Sequence, residues 1–403
     1  RDFCLSRGLG DVYKRQQLRA VPVKGREVIM TAKVPERLEW SGTNGAEERF
    51  FCMTAEPGAS FEEELRSLMA RYRNLGGGEE DEFLLRFHVS DPVRQSAPLR
   101  RITGERNSYV SIVGQPPANG ARVALEAWHI GGMLGKRRRA EQGGTVVEAL
   151  RTHYRLFLAG KGEFSAPDSC GQMREEFRWL DRIAALQGGA VPDLVHRTWI
   201  YCRDIDNNYR GLVEGRNGCF DRYGLTPESH FIASTGIEGC TDLPGRLLHM
   251  DSLGIAGLEL GQVRYMEAPD YLSPTHVYRV AFERGVRIVY GDRSHYFLSG
   301  TASIDAEGNI VHPGDVVGQT ARTLENMSAL MERSGGSLSD LKQAVVYLRD
   351  WADRETVRNR LMDSPLAAVP HVMLKAPVCR PGWLVEIDGI AVNGAGEPAF
   401  APL

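Results

Sequence analysis

No apolar run in this 403-residue chain approaches the ~18 consecutive residues that a membrane-spanning helix needs. Charge of one sign is missing too. The 49 Lys and Arg stand against 52 Asp and Glu, a formal charge of -3, which leaves no electrostatic footprint for nucleic acid or a membrane surface. The seven cysteines are scattered and odd in number, with neither a C-x-x-C pair nor a Cys/His cluster. A disulfide framework and a structural zinc are therefore excluded as organising devices. His129, His196, His249 and His312 have no partner at i,i+4, and no nucleophile–His–Asp arrangement can be read from spacing. Gly131–Lys136 fails as a phosphate-binding loop, because its glycines are too close together and neither Ser nor Thr follows the lysine. The expectation is a cytoplasmic protein without metal or organic cofactor.

What is present is repetition. An order of apolar strand, helix, strand, helix, strand runs through the chain three times. The first pass uses Phe50–Ala55, Phe61–Tyr72, Phe83–Val89 and Val123–Ile130. The second uses Tyr154–Gly160, Gln172–Leu186, Val195–Cys202, Tyr209–Tyr223 and Ser252–Leu258. The third uses Tyr296–Ala302, Thr320–Met331, Ala344–Leu348, Asp353–Leu361 and Trp383–Val392. Repeats of roughly a hundred residues are domain-sized, since each can bury a core of its own. The division expected is residues 17–135, 151–262 and 263–393 for the three repeats, with 136–150 a linker and 394–403 a frayed tail. Arg1–Gln16 lacks apolar periodicity and reads as translated sequencing-adapter sequence, to be set aside from fold reasoning. The run Lys136-Arg137-Arg138-Arg139 reads as solvated linker rather than an anion patch.

The periods support an α+β architecture with helices on one face of each sheet. Leu324, Met327, Leu330 and Met331 form one stripe at helical spacing, as do Phe61, Leu65, Leu68 and Met69. In the last strand Leu384, Glu386, Asp388 and Ile390 share a face. A carboxylate at Glu386 therefore belongs to a strand flanked by apolar residues. Gly300 and Ala302 are small residues on an opening strand, where a ligand or another backbone can approach closely.

The third repeat resembles the Rid superfamily (reactive intermediate deaminases, also called YjgF-like). The residues that carry this are Phe297–Ile304, Gln319-Thr320 with Leu324–Met327, Leu348-Arg349-Asp350 and Leu384–Val392. Rid proteins are homotrimers with sites at subunit clefts, so three copies in one chain imply an intrachain pseudo-trimer and a monomer. Within the superfamily the long architecture is most similar to the chorismatases, on Thr235-Gly236-Ile237, Ala281-Phe282-Glu283-Arg284 and Cys379-Arg380 followed by Leu384–Ile387. It departs from them in a full additional repeat at the N-terminus and in acidic Glu283 beside Arg284. The resemblance implies Glu386 as acid/base and Cys379 as the mark of members that make hydroxybenzoate. It also implies Arg380 and Arg284 as carboxylate clamps, with Gly300, Ala302, Thr235 and Gly236 around the substrate.

Chorismate carries two carboxylates and an enol ether. A site for it needs two cationic clamps and a proton donor aimed at the vinyl carbon. Arginine suits the first role, its planar fork matching a carboxylate. A carboxylic acid kept protonated by burial suits the second. Each residue also has a plainer reading: Glu386 as half of a structural ion pair, Cys379 as a small buried hydrophobe, Arg284 as a surface cation, and Ser234-Thr235-Gly236 as a turn. The other functions left open are a Rid-type imine or enamine deaminase holding its carboxylate with Arg380, and a non-catalytic small-molecule binder.

Overall fold

Eight-residue apolar stretches become the central strands, because both of their faces are covered. A computed structural model describes residues 34–42, 47–278 and 280–403; the segment Arg1–Gln16 lies outside them. The first unit comprises β1 (Arg37–Ser41), β2 (Glu47–Thr54), α1 (Phe61–Asn74), β3 (Glu82–Val89), α2 (Pro92–Thr103), β4 (Tyr109–Gly114) and β5 (Val123–Ile130). The second comprises β6 (Gly135–Glu141), β7 (Gly144–Arg151), β8 (Tyr154–Lys161), α3 (Ser169–Leu186), α4 (Val191–Leu194), β9 (Val195–Cys202), α5 (Ile205–Tyr223), β10 (Ala233–Glu238) and β11 (Leu248–Ala256). The third comprises β12 (Val263–Tyr265), β13 (Gly285–Val289), β14 (Ser294–Ala302), α6 (Val316–Arg333), β15 (Leu341–Leu348), α7 (Arg354–Met362), β16 (His371–Lys375) and β17 (Val385–Asn393). Their sheets run β1-β2-β5-β3-β4, β10-β9-β11-β8-β7-β6 and β12-β13-β14-β17-β15-β16.

Local chemistry starts the helices where the pattern places them. Ser60 accepts a hydrogen bond from the Glu63 N–H ahead of α1, Asp168 from Gly171 ahead of α3, and Asp315 from Val317 and Gly318 ahead of α6; such caps satisfy amides that have no partner within the helix. Asp91 caps α2, and Pro92 stands at its first position, where no N–H is needed.

The three sheets repeat one register. Arg86 pairs with Glu126 across β3 and β5, Trp199 with Asp251 across β9 and β11, and Val345 with Asp388 across β15 and β17. Two positions earlier on the closing strand come Ala124, His249 and Glu386, opposite His88, Tyr201 and Tyr347. Contacts between units also repeat in cyclic order: Gly114 bridges to Cys240, Ile237 to Val378, and Leu374 to Pro117. The fold is thus a tandem α+β pseudo-trimer. Its main core lies where the inner sheet faces meet, around Trp128, Leu158, Leu253, Phe297 and Ile390. Separate clusters lie beneath α1 and beneath α3 with α5.

Buried ions stand among these apolar residues. Arg86 donates from Nε to Asp251 at 2.9 Å and pairs with Glu126 at 3.3 Å, while Arg197 donates to Asp388 at 3.0 Å. Charges this deep persist only when paired and hydrogen-bonded.

Several expectations are corrected. Residues 136–150 are not a linker: β6 and β7 form a hairpin that extends the second sheet to its edge. The basic run is the exposed outer strand of that hairpin, and charge of this kind protects a sheet edge from pairing with other chains. Residues 394–403 are not frayed. The Gly291 N–H donates to the Ala401 carbonyl at 2.7 Å, Tyr154 donates to the same carbonyl at 3.0 Å, and Leu403 is only 1% exposed. Each unit also carries a strand parallel to its central one (β4, β10, β16) that the periodicity did not reveal.

Candidate active site

The junction of the second and third sheets opens into a cleft built from β10, β14, β17, α5 and the segment after β16. Glu386, Cys379, Arg380, Arg284, Gly300, Ala302 and Gly236 all line it. The segment after β16 is fixed against β10: Val378 bridges to Ile237, and the Glu238 N–H donates to the Pro377 carbonyl at 3.1 Å. That anchoring brings Cys379 and Arg380 to the second unit.

A β-bulge makes room for the acid. The register of β14 against β17 shifts between Leu298 and Thr301, so one extra residue stands opposite Asp388 before Ala302 pairs with Glu386. The bulge is held across the cleft by the Ser234 N–H donating to Ser299 Oγ at 2.8 Å and the Gly300 N–H donating to Thr235 Oγ1 at 2.9 Å. A Cβ at Gly300 would lie 2.1 Å from Glu386 Oε1. Only glycine leaves space for that carboxyl.

Glu386 is 5% exposed, and its Oε1 accepts no hydrogen bond from the protein. Burial pushes its pKa up to about 8, with the Asp388 charge adding to the rise and Arg197 and Arg284 opposing it. The side chain is therefore a neutral carboxylic acid at pH 7. Asp388 lies beneath it, accepting from Thr235 Oγ1 at 2.7 Å, Arg197 at 3.0 Å and Tyr347 at 3.3 Å. Burial pushes Asp388 above the usual carboxylate range and Arg197 below its own, each partner's charge offsetting part of the cost.

Three arginines line the same cleft. Arg284 donates twice to the Ser273 carbonyl, at 3.2 and 2.7 Å, and lies over the Phe282 ring at 5.4 Å. Arg380 lies over Trp383 at 4.9 Å. Arg216 projects from α5 and approaches the same Phe282 ring at 5.9 Å. Cations seated on aromatic faces beside a buried acid suit an anionic, unsaturated ring. The Cys379 thiol is pushed up to about 12 by burial and by the Glu386 charge, with a hydrogen bond to Tyr209 acting the other way. It is a thiol at neutral pH, not a nucleophilic thiolate.

Among the expected ligand residues, Thr235 does not line the cleft. Its hydroxyl is buried between Arg197 (2.5 Å), Asp388 and the Gly300 N–H, so its part is to hold the bulge and the aspartate. Ser234-Thr235-Gly236 is strand β10, not a turn. Sequence reasoning missed Tyr209 and Arg216, which lie seven residues apart on one face of α5. The available signal was Arg216 itself, a lone cation in the stripe of Leu212, Cys219 and Phe220. Among the described residues no group of three or more His, Cys, Asp or Glu is placed to hold a metal, and no helix is long and apolar enough to cross a membrane.

Comparison with known proteins agrees with this architecture. The family profile described as Endoribonuclease L-PSP matches residues 282–393, within the third unit. The 3-aminoacrylate deaminase RutC of Acinetobacter baylyi is 29% identical over 96 residues, covering 24% of this chain and 76% of that protein. The crystal structure of a chorismatase superposes with a TM-score of 0.62 at 21% identity, covering 85% of this chain and 98% of the other. RidA of the Antarctic bacterium Psychrobacter sp. superposes on 32% of this chain and 98% of its own, with TM-score 0.26 and 20% identity. The chorismatase match corrects one expectation. Two units would cover at most 273 residues (403 − 130), about two thirds of the chain, so 85% coverage includes the first unit, which is not an addition.

Proposed function

We propose that this protein removes the enolpyruvyl group of chorismate, releasing pyruvate and a hydroxybenzoate, with Glu386 as acid and then base. The observation that carries this reading is a carboxylic acid kept neutral at pH 7 by burial, in a cleft lined by Arg284, Arg380 and Arg216. The arginines bind the two carboxylates. Glu386 gives its proton to the terminal vinyl carbon, and the C=C electron pair forms the new C–H bond. The adjacent carbon becomes an oxocarbenium ion, which the nearby guanidinium groups leave to Glu386, now a carboxylate, to balance. A water molecule adds to that carbon and gives one proton back to Glu386; collapse of the resulting hemiketal, with cleavage of the ether bond and proton transfer to the ring oxygen, releases pyruvate. Loss of water from the ring completes aromatisation, so conversion to hydroxybenzoate and pyruvate consumes no net water.

Incubation of the purified protein with chorismate tests this, with pyruvate as the readout. Release should be fastest below pH 8 and fall as the pH rises through about 8, because the deprotonated form of Glu386 has no proton to give. Release no faster than the spontaneous rate at every pH would remove the proposal. Gly300→Ala should lower the rate by about 100-fold, since a Cβ 2.1 Å from Oε1 displaces the acid by a distance of the order that costs that much. A rate within threefold of the wild type would mean that the position of the carboxyl does not matter.

A second reading rests on the similarity to RutC. In an imine or enamine deaminase, Arg380 would hold the substrate carboxylate while water attacks. That reading expects ammonia release from freshly generated iminoacids, lost in Arg380→Ala and kept in Cys379→Ala.

A further inference from the structure

Threefold repetition of the register means that the Glu386 cleft has two counterparts in the molecule, and the sequence has treated them differently. Between the third and first sheets side chains of another kind stand at the equivalent positions. Cys52 pairs opposite Glu126 and donates from Sγ to the Ala344 carbonyl at 3.7 Å, while Ala124 occupies the position of Glu386. Between the first and second sheets the cleft is open. Ser252 pairs with Ala159, which puts Gly160 opposite Asp251, as the Gly300 bulge stands opposite Asp388. A Cβ at Gly160 would lie 2.1 Å from the Tyr109 hydroxyl, so the glycine makes room for that group, which donates to Asp251 Oδ1 at 2.8 Å. The opening holds about 1710 Å3, counting its mouth.

The floor of this second cleft has an imidazole where the Glu386 cleft has its acid, with Asp251 beside it, and Glu105, Glu163 and Asp242 also line the opening. His249 occupies the position of Glu386, opposite Tyr201. Arg246 can only donate, so at 2.6 Å it makes His249 Nδ1 an acceptor. The proton is then on Nε2, which lies 3.0 Å from Asp251 Oδ1. Ser111 Oγ donates to the same Asp251 oxygen at 3.1 Å and lies 3.0 Å from Nε2. Both ring nitrogens are engaged, and Ser111 faces the protonated one. The cluster therefore cannot act as a nucleophile–base pair, nor can the imidazole protonate a ligand. Burial, the largest influence on His249, keeps it neutral as well.

What the second cleft retains is the capacity to hold an anion. Arg246 is locked at its base by donating to the Leu248 and Lys161 carbonyls, and Arg138 and Lys161 line the wall above. Tyr109 supplies an aromatic side. Arg100 and Arg106 are already paired with Asp242 and Glu82.

We infer that the cleft between the first and second sheets is a second ligand site, taking an unsaturated ring carboxylate of the kind the Glu386 cleft takes and leaving it unreacted. The ligand class rests on the functional reading above; the existence of an anion site rests on Arg246, Lys161 and Arg138.

Calorimetric titration with benzene-1,3-dicarboxylate, an unreactive probe, tests it. The wild-type chain should bind two equivalents. In the double variant Lys161→Glu/Arg138→Glu, shown to be folded by circular dichroism, one of the two should weaken at least 10-fold. These side chains stand on the wall of the cleft and not in its buried floor, which makes loss of the fold a poor explanation for lost binding. A single equivalent in the wild type, or two equivalents unmoved by the charge reversal, overturns the inference. Pyruvate release measured on the same preparation separates the two claims. Turnover of chorismate with one equivalent bound sinks the second site alone, and a charge-sensitive second equivalent without turnover sinks the functional reading alone.

Discussion

Glu386→Gln should cut pyruvate release by about 10²- to 10⁴-fold, the range that a positioned general acid supplies, while making the protein more stable in alkali. The amide keeps the shape of the side chain and the space that Gly300 leaves for it, but has no proton to transfer. The stability effect follows from linkage. In the folded chain Glu386 titrates at about 8, against 4.5 for an ordinary glutamate. Between those values the native state holds a proton that the unfolded state has lost. The group's contribution is therefore fully present below pH 4.5 and is lost as the pH rises through 8, at up to about 1.4 kcal/mol per pH unit. Glutamine carries no such dependence. Urea denaturation at pH 5 and pH 9 should find the two proteins alike at the lower pH and the variant more stable at the higher one. Glu176, also pushed to about 8 by burial, is common to both and cancels in the comparison. Equal stability at both pH values would place the Glu386 charge in solvent.

The largest loss of stability is expected from Arg197→Met. Arg197 is 1% exposed and is the cationic partner of Asp388, whose remaining hydrogen bonds come from Thr235 and Tyr347. Removing one partner of a buried pair typically costs about 3–5 kcal/mol, because the other charge is left without compensation. Asp388 already stands above the usual carboxylate range. Without Arg197 it would rise further, so the cost should grow with pH and shrink in acid, where the carboxyl neutralises. Adding Asp388→Asn should recover a large part of the loss, since the double variant buries no net charge. Strictly additive losses in the two single variants would show that the ion pair does not hold this part of the core.

The same buried charges mark how far the sequence could be read. The central and closing strands were legible because β3, β9 and β15 are apolar runs bounded by Ser-Asp or Arg-Asp, and α1 and α6 because their apolar stripes have helical spacing. The parallel strands β4 and β10 were hidden, since YVSIVG and ASTGIE mix small and polar residues in runs too short to establish a period. The hairpin of β6 and β7 was hidden by its charge, as Lys136–Arg139 looks like loop until a neighbouring strand is known. Glu386, Arg380, Arg284, Cys379, Gly300, Ala302 and Gly236 could be named from resemblance and do share one cleft. The role of Thr235, the reach of Arg216 from α5 and the pairing of Arg197 with Asp388 depend on contacts between units that no local pattern encodes.

The proton on Glu386 is the centre of the account, and infrared difference spectroscopy on carboxyl-labelled protein reads it directly. The band present in the wild type and absent from Glu386→Gln should be that of a protonated carboxyl at pH 7, converting to carboxylate with a midpoint near 8. A midpoint near 4.5, the value of an exposed glutamate, would contradict acid catalysis by this residue.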